Sequence, residues 1–126
     1  MKGNIMSQIF RLAELYHQND YDATMDFIET VAGTVLVIPV THAIVAKTTS
    51  AGEACTLANG KPGQVLQIYM ASQSGAATIT PATMTGFATV VLTANGDFVT
   101  LLYVDDTIGW IILGMGGAAA TPVVSV

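Results

Sequence analysis

The 126-residue chain has four basic and nine acidic side chains, which is 10% of its residues, whereas hydrophobic residues make up 52%. This length predicts one domain, and 13 charges are few for covering the surface of a small monomer, so we expect other subunits to cover part of its apolar surface. The net charge of -5 and the scattered basic residues exclude the basic cluster that direct nucleic-acid binding requires.

The first 30 residues are predicted to form a polar, helix-prone arm, because they hold seven of the 13 charges. An apolar stripe at three- and four-residue spacing predicts an amphipathic helix; its members are Ile5, Ile9, Leu12 and Tyr16. A second short helix is predicted over residues 22–28. Two interpretations of the arm stay open. It covers one end of the remaining body, or its stripe docks on a different protein, which makes the four stripe residues the candidate partner-binding residues.

Residues 31–126 form the predicted body, in which the helical spacing disappears. Segments with the composition and length of strands are residues 34–40, 42–49, 64–72, 76–81, 86–93, 98–104 and 110–113, with shorter ones at 54–58 and 123–126. Turn-forming residues separate them, as at 95–97 and 105–109. Since the connections are too short for crossover helices, the predicted fold is mainly β, an antiparallel β-sandwich or barrel with an N-terminal helical arm and an apolar C-terminal tail.

Two uncharged stretches, residues 30–46 and 107–126, are long enough to raise the question of a membrane span. Pro39 interrupts the first, and several glycines and Pro122 interrupt the second, so both are interpreted as strands joined by turns. Polar residues near the N-terminus interrupt any signal-peptide core. The sequence therefore predicts no membrane association.

Residue types that carry chemistry are sparse in the body. His17, His42 and Cys55 lack the paired short spacing of a zinc site, and a lone Cys55 is interpreted as a small buried hydrophobe. The acids of the later turns are interpreted as residues that accept hydrogen bonds from nearby backbone amides: Asp97, Asp105 and Asp106. We therefore predict no catalytic residue, no metal, no cofactor and no enzymatic activity.

The aromatic residues of the body support two interpretations. Exposed together, they would form a platform for a sugar ring, and the chain would be a glycan- or receptor-binding module; the residues concerned are Tyr69, Phe98, Tyr103 and Trp110. Aromatic residues at strand positions more commonly fill a core or an interface. We favour the second interpretation and predict that Trp110 is packed in the closing strand.

Residues 57–117 resemble a module of small virion structural proteins of tailed bacteriophages and related viruses. The resemblance lies in an ordered series of turns and strands: Gly60-Lys61-Pro62-Gly63-Gln64 entering residues 65–68, Ile79-Thr80-Pro81, residues 86–92, Asn95-Gly96-Asp97 followed by residues 99–103, and Gly109-Trp110. It covers about half of the chain and includes no catalytic signature.

What this resemblance implies is a β-rich module on the virion surface, namely a capsid decoration protein, a head fibre or a tail-associated protein, commonly trimeric. The chain has no collagen-like repeat or long heptad stalk, which favours a compact decoration protein. The expected function is a non-enzymatic virion structural protein that forms a homotrimer and decorates or cements the capsid. Its expected partners are other copies of itself and the major capsid protein or another virion protein. The expected location is the capsid surface, after synthesis in the host cytoplasm.

Overall fold

The computed structural model describes residues 28–117 and 123–125, and these residues form ten β-strands without a helix. The strands are β1 Ile28–Val31, β2 Val37–Ile38, β3 Ile44–Thr48, β4 Glu53–Leu57, β5 Val65–Ser72, β6 Ala77–Pro81, β7 Thr89–Leu92, β8 Phe98–Tyr103, β9 Trp110–Gly116 and β10 Val123–Ser125. The prediction of a mainly β protein is confirmed.

The strands belong to two five-stranded sheets whose inner side chains share one hydrophobic core. The strand order is β1-β3-β5-β8-β9 in the first sheet and β10-β7-β6-β4-β2 in the second. Buried residues alternate with more exposed ones along β4, β5, β7 and β8, which is the pattern of strands with one face in a core.

The prediction that the strands are antiparallel throughout is wrong. β1 pairs with β3 and β3 with β5 in parallel, and β2, β4 and β6 form a parallel series in the other sheet. From β1 to β6 the chain alternates between the sheets, so each parallel connection passes through a strand of the opposite sheet instead of a helix. Short connections therefore exclude crossover helices without excluding parallel pairing. The remaining pairs, β5–β8, β8–β9, β6–β7 and β7–β10, are antiparallel.

The first strand begins inside the predicted arm. The sequence predicts that Ile28 ends a short helix, but residues Ile28 to Val31 pair in register with Ile44 to Lys47 of β3. Pairing along a neighbouring strand overrides the weak local helix preference of so short a segment. The rest of the arm, with Ile5, Ile9, Leu12 and Tyr16, lies outside the described residues.

A pair of aromatic rings fills the core beside the β8–β9 turn. Tyr103 and Trp110 are both fully buried, with ring centroids 5.2 Å apart in an edge-to-face arrangement. The indole Nε1 donates to the carbonyl of Ala58 at 3.0 Å, and the Tyr103 hydroxyl donates to Asp106. That hydrogen bond, together with burial, raises the pKa of Tyr103 to about 12. The core interpretation of Trp110 is confirmed.

Two of the three acidic turn residues have the predicted role. Asp97 Oδ2 accepts hydrogen bonds from the amides of Thr93 at 2.9 Å and Ala94 at 3.0 Å. Asp105 Oδ1 accepts from the amides of residues 107 and 108 at 2.9 Å and 2.7 Å. Gly109 completes this turn with a φ of 71°, and a Cβ there would lie 2.3 Å from the backbone of residue 83. Asp106 instead contacts the Tyr103 hydroxyl.

We expect Trp110→Ala to lower the free energy of unfolding by about 3–5 kcal/mol, because it removes a fully buried ring and leaves a cavity. Denaturant unfolding followed by circular dichroism measures the change. The matched control is Val37→Ala, at a side chain that is 62% exposed, with an expected change below about 0.5 kcal/mol. A loss of less than about 1 kcal/mol in Trp110→Ala would contradict the core role of this ring.

Candidate assembly surface

A buried ion pair lies beside the connection from β3 to β4, where the chain passes from the first sheet to the second. Lys47 Nζ on β3 lies 2.7 Å from Glu53 Oε1 on β4, and both side chains are buried. Lys47 also donates to the carbonyls of Ala32 at 3.1 Å and Val35 at 2.7 Å, in the segment between β1 and β2. The ammonium group thus joins this segment to the strands on either side of the β3–β4 connection.

The second oxygen of Glu53 accepts hydrogen bonds from the backbone on both sides. Its donors are the amide of Ser50 at 2.8 Å and the amide of Thr34 at 3.3 Å, and Thr34 has a φ of 73°. The hydrogen bond from Lys47 holds the pKa of the Glu53 carboxyl at about 2, and the two amides add to this effect against the opposing effect of burial. The Glu53 carboxyl is therefore ionised at neutral pH, and it supports a backbone conformation at Thr34 that is unusual for threonine.

Few charges remain on the outside of the described body. Lys47, Glu53 and Asp97 are buried. The charged residues left at the surface are Glu29, Lys61, Asp105 and Asp106. Lys61 and the two aspartates lie in turns at one end of the first sheet, where the amide of Gly63 bonds the carbonyl of Tyr103. Glu29 lies on the edge strand β1, where its Oε2 is 3.5 Å from His42 Nε2.

The outer side of the first sheet has no charged residue among its described positions. Because Leu66, Ile68 and Met70 point into the core, the alternating residues of β5 point outward, and the strand register extends this assignment to the other strands. We define the apolar face as Ile28, Ile44, Ala46, Val65, Tyr69, Ala71, Phe98, Leu102, Ile111 and Leu113. Its polar positions are uncharged: Thr30, Gln67 and Thr100.

Several side chains of the apolar face are open to solvent. Ile28 is 44% exposed, Val65 46% and Leu113 54%. Leu113 has no partner on β8, since the register between β8 and β9 shifts from Ile112 to Gly114. An uncharged, mostly apolar and partly exposed face of this kind indicates an interaction surface.

The outer side of the second sheet has the opposite character. Its outward residues are mostly short and hydroxylated, and we define them as the threonine face: Val37, Ala54, Thr56, Thr78, Thr80, Thr89, Val91 and Ser125. Short hydroxyl side chains on strands are compatible with water. The sandwich is therefore two-sided, with one face suited to burial and one suited to solvent.

The aromatic residues considered as a glycan platform are divided between core and surface. Tyr103 and Trp110 are inside, whereas Tyr69 and Phe98 are cross-strand partners on the apolar face, each half-buried. Only Tyr69 and Phe98 of these four aromatic residues lie at the surface, where they could stack on a sugar ring. The structure does not bring the four rings together on one surface.

The other residues weighed for chemistry do not converge. Cys55 is buried in the core and burial raises its pKa, while His42 lies at the sheet edge. Among the described residues no group of three or more His, Cys, Asp or Glu side chains is placed to hold a metal ion. A shallow open cleft of about 680 Å³ lies between residues 40–41 and 59–64, and Lys61 is its one charged lining residue.

Sequence reasoning did not find the apolar face, although a signal for it was present. Residues 65–72, 98–104 and 110–113 are nearly continuous apolar runs, and such runs are typical of strands that are covered on both sides. The core buries only one side of each strand. The strand register identifies the residues on the other side, which form the apolar face.

Comparisons with protein families, with curated proteins and with solved structures find no match to this chain. In the part of the chain that the structure describes, no helix has the length and apolar character needed to cross a bilayer.

We expect Glu53→Gln to lower the free energy of unfolding at pH 7 by about 3–5 kcal/mol, because it leaves the buried Lys47 ammonium without its counter-ion. The Glu53 pKa is lower in the folded protein than its ordinary value of 4.5, so the unfolded chain takes up this proton first as the pH falls. The contribution of Glu53 is therefore complete above pH 4.5 and is lost towards pH 2.

Unfolding curves at a series of pH values measure this contribution as the difference between the unsubstituted chain and Glu53→Gln. The matched control is Glu29→Gln, whose side chain is 43% exposed and whose loss is expected to change stability by less than about 1 kcal/mol. Equal effects of the two substitutions would show that the buried pair is not a stabilising link.

Proposed function

We propose that this chain is a non-enzymatic virion structural protein that forms a homotrimer and decorates or cements the capsid surface. The observation that carries the proposal is the two-sided sandwich, in which an uncharged apolar face lies opposite the threonine face. A subunit of an assembly needs one surface for burial and one for solvent, whereas an enzyme needs convergent polar groups in a cleft. The likeness of residues 57–117 to virion modules and the low charge content support the same proposal.

The proposed mechanism is burial of apolar surface between copies and against the shell. Each Å² of apolar surface removed from water contributes about 25 cal/mol, so even a few hundred Å² per contact contributes several kcal/mol before the cost of association. A protein that binds the assembled shell and not its dissociated subunits stabilises the shell by mass action, by about 2.7 kcal/mol at 100 times its Kd. Neither effect requires a catalytic group.

Light scattering of the purified chain at micromolar concentration is expected to give about three times the 13.1 kDa subunit mass, because contacts between copies are expected to bury the apolar face. The measurement is repeated over a tenfold dilution series to separate a defined oligomer from nonspecific association. A soluble monomer at every concentration would contradict the proposed oligomer.

The decoration role is tested on virus particles. We expect a density map of intact particles to show the two-sheet body on the outside of the shell, and particles lacking the chain to lose shell integrity at a lower temperature than complete particles. Particles prepared without the chain and then supplied with it are the control for rescue. Absence of the chain from purified particles would contradict a virion role even if the chain is a trimer in solution.

A further inference from the structure

The tripeptide Ala-Asn-Gly occurs twice in the body, at residues 58–60 and 94–96. Asparagine is thermally labile, and it loses its side-chain amide most readily before glycine, because glycine has no Cβ to hinder attack by its own backbone nitrogen. Both asparagines, Asn59 and Asn95, are exposed in the folded body. The two sites therefore share a local sequence and an exposed position, and they differ in the hydrogen bonds that the fold supplies.

At the second site, hydrogen bonds occupy both of the groups that would react. The Gly96 amide donates to the carbonyl of Met70 at 2.8 Å, and Asn95 Oδ1 accepts from the amide of Gln73 at 2.7 Å. The Gly96 nitrogen can reach the Asn95 side chain only after these bonds to the end of β5 break. Local opening of the turn must therefore precede any reaction of Asn95.

At the first site, the corresponding groups are not held in this way. No hydrogen bond to the Asn59 side chain or to the Gly60 amide comes from any of the described residues. The hydrogen bonds of this loop belong to the neighbouring residues. The carbonyl of Ala58 accepts from Trp110 Nε1 at 3.0 Å, and the amide of residue 61 donates to Gln64 Oε1 at 2.9 Å.

Position 60 requires glycine for a reason of packing. A Cβ added to Gly60 would lie 2.5 Å from Gln64 Oε1 and 3.0 Å from the ring of Trp110. Because Trp110 is fully buried, its ring has no room to move aside. The glycine that makes Asn59 reactive is thus fixed by the core residue beneath it.

We propose that Asn59 is a site of spontaneous deamidation in the folded protein, whereas the fold protects Asn95. This inference goes beyond the proposed virion role and does not depend on it. Its reactants are the chain itself and water.

The reaction begins when the Gly60 nitrogen gives its proton to water or hydroxide and forms a bond to Asn59 Cγ. The bond from Cγ to Nδ2 breaks, and the side-chain nitrogen leaves as ammonia. Water then opens the cyclic imide at either of its two carbonyl carbons. The products are aspartate, with the original main chain, and isoaspartate, in which the main chain runs through the former side chain. One water is consumed on balance, and nothing is oxidised or reduced.

Both products change the loop that covers Trp110. Each adds a carboxylate beside Lys61, in the cleft between residues 40–41 and 59–64. Isoaspartate also adds a methylene to the main chain between Ala58, whose carbonyl binds the indole, and Gly60, which packs against the ring. We therefore expect isoaspartate to weaken the contacts of Trp110, and aspartate to leave them in place.

The test follows both sites in the full-length chain, so that each site is the matched control for the other. Samples are kept in mildly alkaline buffer, either folded or unfolded in guanidinium chloride. Peptide mapping by mass spectrometry, with enzymatic methylation of isoaspartate, measures the conversion of each site over time.

In the folded sample we expect Asn59 to deamidate at least about tenfold faster than Asn95, because Asn95 must first break two hydrogen bonds of ordinary strength. In the unfolded sample we expect the two rates to agree within about threefold, because the tripeptide is the same and the hydrogen bonds of the fold are gone.

The effect on stability is measured on folded samples aged until Asn59 has reacted. Aged protein is expected to unfold at a lower denaturant concentration than fresh protein. Aged Asn59→Gln, whose longer side chain closes the ring more slowly, is expected to unfold like its own fresh sample. Fresh Asn59→Asp carries the new charge without the extra methylene and is expected to match the fresh unsubstituted chain.

Each contrary result has a separate meaning. Conversion of Asn59 in the unfolded chain but not in the folded chain would overturn the proposed site. A rate at Asn95 equal to or above that at Asn59 in the folded chain would overturn the protection by hydrogen bonds. Aged protein that unfolds at the same denaturant concentration as fresh protein would overturn the inferred effect on Trp110.

Discussion

The body depends on the ion pair between Lys47 and Glu53, which flanks the connection from β3 in one sheet to β4 in the other. Each group meets its partner and additional backbone groups, so neither charge is left unsatisfied in the core. Isolated buried charges are strongly destabilising, whereas a pair surrounded by hydrogen bonds is tolerated and restricts the local geometry. In this protein the restricted geometry is that of the segment between β1 and β2, which includes the positive φ of Thr34.

The first six strands alternate between the two sheets. Because successive strands alternate between the sheets, every strand from β1 to β6 has parallel neighbours although no helix connects them. The later strands return as antiparallel neighbours and bring the Tyr103–Trp110 pair against the carbonyl of Ala58. The two halves of the body are thus joined by side-chain contacts that cross the core as well as by sheet hydrogen bonds.

The distribution of polar groups connects this fold to its proposed role. Three charged residues are used inside the body and the surface charges of the described residues lie in turns or at an edge, so the broad sides of the sandwich are free of charge. One side carries threonines and the other large apolar residues. A surface of this kind is suited to assembly, since apolar burial supplies the attraction and the hydroxylated side keeps the assembly in water.

The sequence by itself determined the mainly β character, the approximate positions of most strands, the turn roles of Asp97 and Asp105, and the burial of Trp110. These follow from local residue preferences and from short-range hydrogen bonds, which neighbouring residues specify. It did not determine that β1 starts at Ile28, that the early strands pair in parallel, or that Lys47 meets Glu53 in the core. Those features depend on which strand lies beside which, and pairing between distant segments is decided by packing of the whole chain. For the same reason the residues of the apolar face, drawn from five strands, came together only in the tertiary structure.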